Sequence, residues 1–150
     1  MNVRTADSLT AGEEQLPRIS TYKVTEPYEL DDGVLFHEMM MEDMGPKTLT
    51  VGLATFQPGK GLPCHIHNVE EIVTILKGDA YIDVEGVRTK GTAFDTSFIP
   101  AYIPHRFVNA SDSEELMILW AYSQIDGEQE RVDVIRDIVP SDRCMLPKEK

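Results

Sequence analysis

Two histidines set one residue apart, His65 and His67, lie within the stretch Gly59 to Gly78, GKGLPCHIHNVEEIVTILKG, and no other feature constrains this chain so tightly. In a strand, side chains alternate between faces with period two, so both imidazoles point the same way. At about 3.3 Å per residue their Cα atoms stand roughly 6.6 Å apart, a gap that two imidazoles close onto one ion with bonds of about 2 Å. Glu71 lies an even number of residues further on, in the next apolar run, and returns to the same face from the neighbouring strand. A third histidine, His105, follows the Pro-rich turn in IPAYIPHRFVN. A bare carboxylate on an inward strand face is very costly. No Lys or Arg stands two residues either side of Glu71 to pair with it. The inference is a metal held inside a β-barrel by His65, His67, His105 and Glu71.

The rest of the chain reads as short strands between Gly/Pro turns, with almost no helical period. Expected strands are 34–41 (VLFHEMMM), 48–56, 80–86, 87–91, 92–100, 105–110 and 116–123, with a hairpin at Glu85-Gly86. Either face of 34–41 could be the inward one, because both carry apolar residues. Residues 131–139 (RVDVIRDIV) fit a helix through Val132, Ile135 and Val139 or a strand through Val132 and Val134. A final strand covering an edge is the preferred reading. Residues 1–24 read as a polar N-terminal arm and 25–150 as one barrel domain, without repeats.

At the histidine stretch the sequence resembles the cupin superfamily. Gly59, His65, His67, Glu71 and Gly78 meet every spacing of that family's first motif, and Pro100, His105 and Asn109 match the second. Phe94 and Tyr102 stand where the family has glycines, which leaves the local turns in question. The resemblance implies an all-β fold, an antiparallel double-stranded β-helix or jelly-roll barrel. It also implies one divalent transition metal ion per subunit. Three imidazoles and a carboxylate suit Fe(II), which we favour, as well as Mn(II), Ni(II) or Zn(II). Metal-dependent cupins include dioxygenases, decarboxylases, isomerases, lyases and cyclases, and the ligands alone do not choose among them.

Residues around the ion should make that choice. Tyr102 and Glu71 are the catalytic candidates. The Tyr102 phenol either overhangs the metal from the loop leading into His105 or is a surface residue filling the space of the missing glycine. His37 is a general acid or base if its face is inward, and otherwise a core or edge residue. Phe107 shares the face of His105 and should wall the pocket. Trp120 and Tyr122 share a face of the last core strand, first as core aromatics and second as a lining for a planar substrate. Cys64 and Arg106 alternate away from the ligands.

The net charge of −12 argues against nucleic acid and anionic membranes as partners. No apolar run approaches the length of a membrane span and no signal peptide is evident, so a cytoplasmic protein with two free thiols, Cys64 and Cys144, is expected. A small-molecule substrate and a homodimer complete the picture, the latter in line with the resemblance and with exposed sheet edges needing cover. Three functions fit: a metal-dependent enzyme on a small oxygenated molecule, most specifically a dioxygenase; a decarboxylase, isomerase or lyase at the same metal; and a non-catalytic binding module.

Overall fold

The computed structural model describes residues 17–145, so most of the expected arm (1–24) lies outside the described residues. Eleven strands run β1 (Tyr28–Asp31), β2 (Val34–Met40), β3 (Leu49–Phe56), β4 (His65–His67), β5 (Glu71–Lys77), β6 (Ala80–Val84), β7 (Val87–Gly91), β8 (Thr96–Ile99), β9 (His105–Asn109), β10 (Leu116–Ser123) and β11 (Arg136–Ile138). They form two antiparallel sheets, ordered β1-β2-β3-β10-β5-β8 and β11-β4-β9-β6-β7. This is the double-stranded β-helix anticipated from the motifs. No helix among the described residues is long and apolar enough to cross a membrane.

Alternation in the strands builds the core. Val73 and Ile75 of β5, Ile82 of β6, Phe107 of β9 and Leu116, Ile118 and Trp120 of β10 all face inward and pack together with Phe56. Glu85 and Gly86 both have positive φ, 48° and 86°, as a two-residue turn between β6 and β7 requires. At the end of β9, buried Asn109 donates to the carbonyls of Phe56, Gln57 and Glu114, and its own carbonyl accepts from the Ser111 N–H. One amide thus ties β9 to the end of β3.

In β2, Val34 and Phe36 pack on the core, so the intervening residues Leu35 and His37 face out. A register shift between Glu38 and Met40 then turns Met41 inward. His37 is therefore buried on the outer face, its ring 4.6 Å from that of Tyr22.

The expected free thiols are a correction. Cys64 and Cys144 form a disulfide that links positions 80 residues apart. The tail explains it. Residues 136–138 pair with β4 as an edge strand, the Val139 N–H donates to the Cys64 carbonyl (3.0 Å), and a 3₁₀ turn over Ser141–Arg143 delivers Cys144 beneath it. Nothing local in the sequence signals that return. The disulfide also removes the thiols as an argument for a reducing compartment.

The two positions that lack the family glycine keep the glycine backbone. Phe94 has φ 74° and Tyr102 φ 64°, in the left-handed region. Both side chains point to solvent.

Candidate metal centre and its cavity

Strand β4 supplies His65 and His67 on one face, β9 supplies His105 directly across from His65, and β5 opens with Glu71. All four are buried. One nitrogen from each of the three histidines lies within 4.8 Å of the others. Glu71 is outside that group of three but touches two of its members. Its Oε2 is 2.9 Å from His67 Nδ1 and 3.5 Å from His105 Nε2.

The histidines are aimed by their own backbone. His65 Nδ1–H donates to the Pro63 carbonyl (2.7 Å), and His105 Nδ1–H donates to the Ile103 carbonyl (2.8 Å). Each bond reaches back two residues across a Pro-containing turn. It fixes the tautomer and leaves Nε2 as a bare lone pair, the form in which imidazole binds metal. His67 lies between Glu71 and Tyr122, whose hydroxyl is 3.3 Å from Nε2.

Electrostatics favour the ligand forms. Burial first, then the charges of His105 and His67, push the His65 imidazole down to about 3, so it is neutral at ordinary pH. Burial alone would raise Glu71. Close contact with His105 and His67, together with their charge, outweighs burial and holds the carboxyl at about 2. Yet His67 Nδ1, Glu71 Oε2 and His105 Nε2 are buried without a hydrogen-bond partner despite these short separations. Two unsatisfied ring nitrogens meeting at one unsatisfied carboxylate oxygen are costly unless a cation lies among them. The donor set, three imidazoles and one carboxylate, is a fit for a divalent transition metal.

Beside the centre is a cavity of about 150 Å³. His65 and Glu71 border it together with Phe36, Met41, Leu62, Ile118, Trp120 and Tyr122, and Tyr28, Leu30 and Arg136 complete its wall. Burial first, then the charge of Glu71, raises the Tyr122 phenol well above its usual range, so it stays protonated. Trp120 is buried with its Nε1–H unpartnered.

The structure brings His65, His67, His105, Glu71, Trp120 and Tyr122 together. Phe107 lies in the packed core and His37 on the outer face; neither borders the cavity. The Tyr102 phenol is 63% exposed and does not border it either, while the Tyr102 backbone N–H donates to the His67 carbonyl (2.7 Å). Sequence reasoning missed Arg136, Tyr28 and Phe36. Arg136 was in sight as part of the ambiguous tail, and its pairing opposite His67 is what places it at the cavity.

The family model described as "Cupin domain" matches residues 52–122. "Polyketide synthase CurC" of Streptomyces cyaneus is 30% identical over 103 residues, covering 68% of this chain and 67% of its own. "Auxin-binding protein 4" of Zea mays is 33% identical over 84 residues, covering 50% of this chain and 41% of its own. The solved structure of the polyketide cyclase RemF from Streptomyces resistomycificus superposes with a TM-score of 0.68 at 16% identity, covering 85% of this chain and 90% of that one. At that identity the likeness is one of fold.

Proposed function

The chain belongs to the cupin superfamily, and from that premise we propose that it is a metal-dependent enzyme acting on a small oxygenated ring compound. The observation that carries this reading is the meeting of unpartnered His67 Nδ1 and His105 Nε2 at the buried Glu71 carboxylate. His65, His67, His105 and Glu71 would hold a divalent ion, which supplies Lewis acidity toward a carbonyl or enol oxygen. Phe36, Ile118 and Trp120 wall a flat ring and keep water out. The Tyr122 hydroxyl, held protonated by burial and by Glu71, donates to a substrate oxygen.

Non-oxidative chemistry, enolisation with ring closure or elimination, is the preferred reaction type. The names of two similar proteins, a polyketide synthase and a polyketide cyclase, support it. Dioxygenation, the first expectation from the resemblance, has no support beyond the shared donor set, and the same holds for Fe(II) over Mn(II), Ni(II) or Zn(II). A second reading, binding without turnover, is favoured by the likeness to an auxin-binding protein.

Metal content per chain, measured in the parent and in Glu71→Gln, tests the centre. The parent should hold one ion, and the variant should bind it at least about 10- to 100-fold more weakly, the loss typical of disturbing even an outer-sphere partner. A parent without metal, or a variant with full occupancy, overturns the assignment. Turnover of a cyclic 1,3-diketone without oxygen uptake separates the non-oxidative reading from dioxygenation, and tight binding with no turnover selects the binding module.

We also propose a homodimer. The outer face of the six-stranded sheet presents Leu49, Ile72 and Phe98, with Ile72 and Phe98 paired across β5 and β8. Such a face calls for cover. Light scattering should give twice the 16.9 kDa chain mass, and a value near the single mass refutes it.

A further inference from the structure

The cavity is rich in hydrogen-bond donors that are not used. Arg136 borders it from β11 and makes a single side-chain hydrogen bond among the described residues, from Nη2 to Asp31 Oδ2 at 2.9 Å. The other arginines near the five-stranded sheet are better occupied. Arg88 binds Asp83 through two nitrogens, and Arg106 uses one on Asp83 and another on Ser141. A guanidinium has five N–H donors in a planar fork, so most of the Arg136 fork is free. Trp120 adds an unpartnered, buried Nε1–H, while the Tyr122 hydroxyl is 3.3 Å from His67 Nε2. On the acceptor side the cavity offers Glu71, which is engaged with His67 and His105, and the His65 Nε2 lone pair, which a bound ion would take. A ligand matching this inventory is rich in acceptors and carries negative charge.

Shape narrows the class further. Apart from Tyr28, the remaining wall (Leu30, Phe36, Met41, Ala54, Leu62, Ile118) is apolar. A volume of about 150 Å³ holds a single six-membered ring. Arg136 is three-quarters buried and Asp31 more so, so their pairing spans the two sheets with little solvent screening.

We propose that Arg136 is the specificity-determining residue of this cavity, selecting a single-ring substrate that carries a planar oxyanion, a carboxylate or enolate, and that Asp31 holds the guanidinium in place until that substrate enters. The inference rests on reading the cavity as the substrate site. A carboxylate accepts two parallel N–H bonds from the fork, and an enolate oxygen accepts one charge-assisted bond, a match that a neutral amide or ketone lacks. Asp31 neutralises the arginine in the empty cavity and yields part of it to the incoming anion.

Trp120 is the sole tryptophan of the chain and borders the cavity, so its emission reports binding. The probes are benzoate, its neutral counterpart benzamide, and the enolate of cyclohexane-1,3-dione, titrated into metal-loaded protein and again after chelation. Arg136→Gln should weaken benzoate about 10- to 100-fold, as expected for a hydrogen-bonded charge, and leave benzamide unchanged. Arg136→Lys should recover part of the loss. An equal loss for the dione extends the selection to enolates, and a loss confined to benzoate limits it to carboxylates. Asp31→Asn keeps the charge of Arg136, carries the test if Arg136→Gln fails to fold, and should tighten benzoate several-fold. Benzoate binding that survives Arg136→Gln unchanged, or that Asp31→Asn leaves unchanged or weakened, overturns the proposal. Discrimination that persists in a protein found to take no metal would sink the metal reading and leave this one standing. Binding that vanishes on chelation but ignores Arg136 does the reverse.

Discussion

The indole of Trp120 packs over Gly52, its direct partner across β3 and β10. A β-carbon at Gly52 would stand 1.9 Å from Cζ2 of the ring and 2.5 Å from Cε2 and Cη2. Glycine here makes room for the aromatic wall. Gly52→Ala should drive the indole toward the cavity, shift its emission, and destabilise the fold by about 1–3 kcal/mol, the usual cost of overpacking. Unchanged emission and an unchanged urea midpoint would show that the ring has another place to go.

The metal-free protein should lose stability in acid in two stages. His65 is neutral in the folded state down to about pH 3, while in the unfolded chain it takes a proton near 6.5. Between those values the unfolded state holds more protons, so stability falls as pH falls. Glu71 adds the same sign below its ordinary value of 4.5, down to about 2. The slope from one proton is about 1.4 kcal/mol per pH unit, so roughly 2 kcal/mol should go between pH 6.5 and 5. Urea midpoints across pH 8 to 4 measure it. A flat profile would mean that His65 is charged in the fold.

Tyr102→Gly should stabilise the protein. A non-glycine residue in the left-handed region costs roughly 1–2 kcal/mol, and the greater freedom of glycine in the unfolded chain returns part of that, leaving a net gain of about 0.5–1 kcal/mol. Because the phenol stands in solvent, activity should change less than about twofold. A tenfold loss with metal retained would restore Tyr102 to the reaction.

Reduction of Cys64–Cys144 should lower stability by about 2–4 kcal/mol, since the bond closes a loop spanning 80 residues. Urea unfolding with and without a thiol reductant provides the measurement. Coincident curves would show that β11 and its neighbours already hold the tail without it.

The parts of this protein that follow a local period could be read from its sequence. His65 and His67 share a face because strands alternate, and Glu71 and His105 follow from even spacing and a turn. The hairpin at Glu85-Gly86 is of the same kind. What escaped depends on long-range pairing. Arg136 sits in a three-residue strand too short to show a pattern, and its role comes from lying opposite His67. Both Phe36 and Met41 pack inward because a register shift falls between Glu38 and Met40, so no single alternation over 34–41 assigns the facing of His37. The disulfide joins residues that only the folded tail brings together.

The late position of β11 has a consequence for how the protein is made. On a ribosome His65, His67, Glu71 and His105 emerge before Arg136, and the strand that carries it must travel back to β4 to form non-local hydrogen bonds, a slow class of event. Pulse-labelled hydrogen exchange during refolding should therefore find the β11 amides among the last to gain protection.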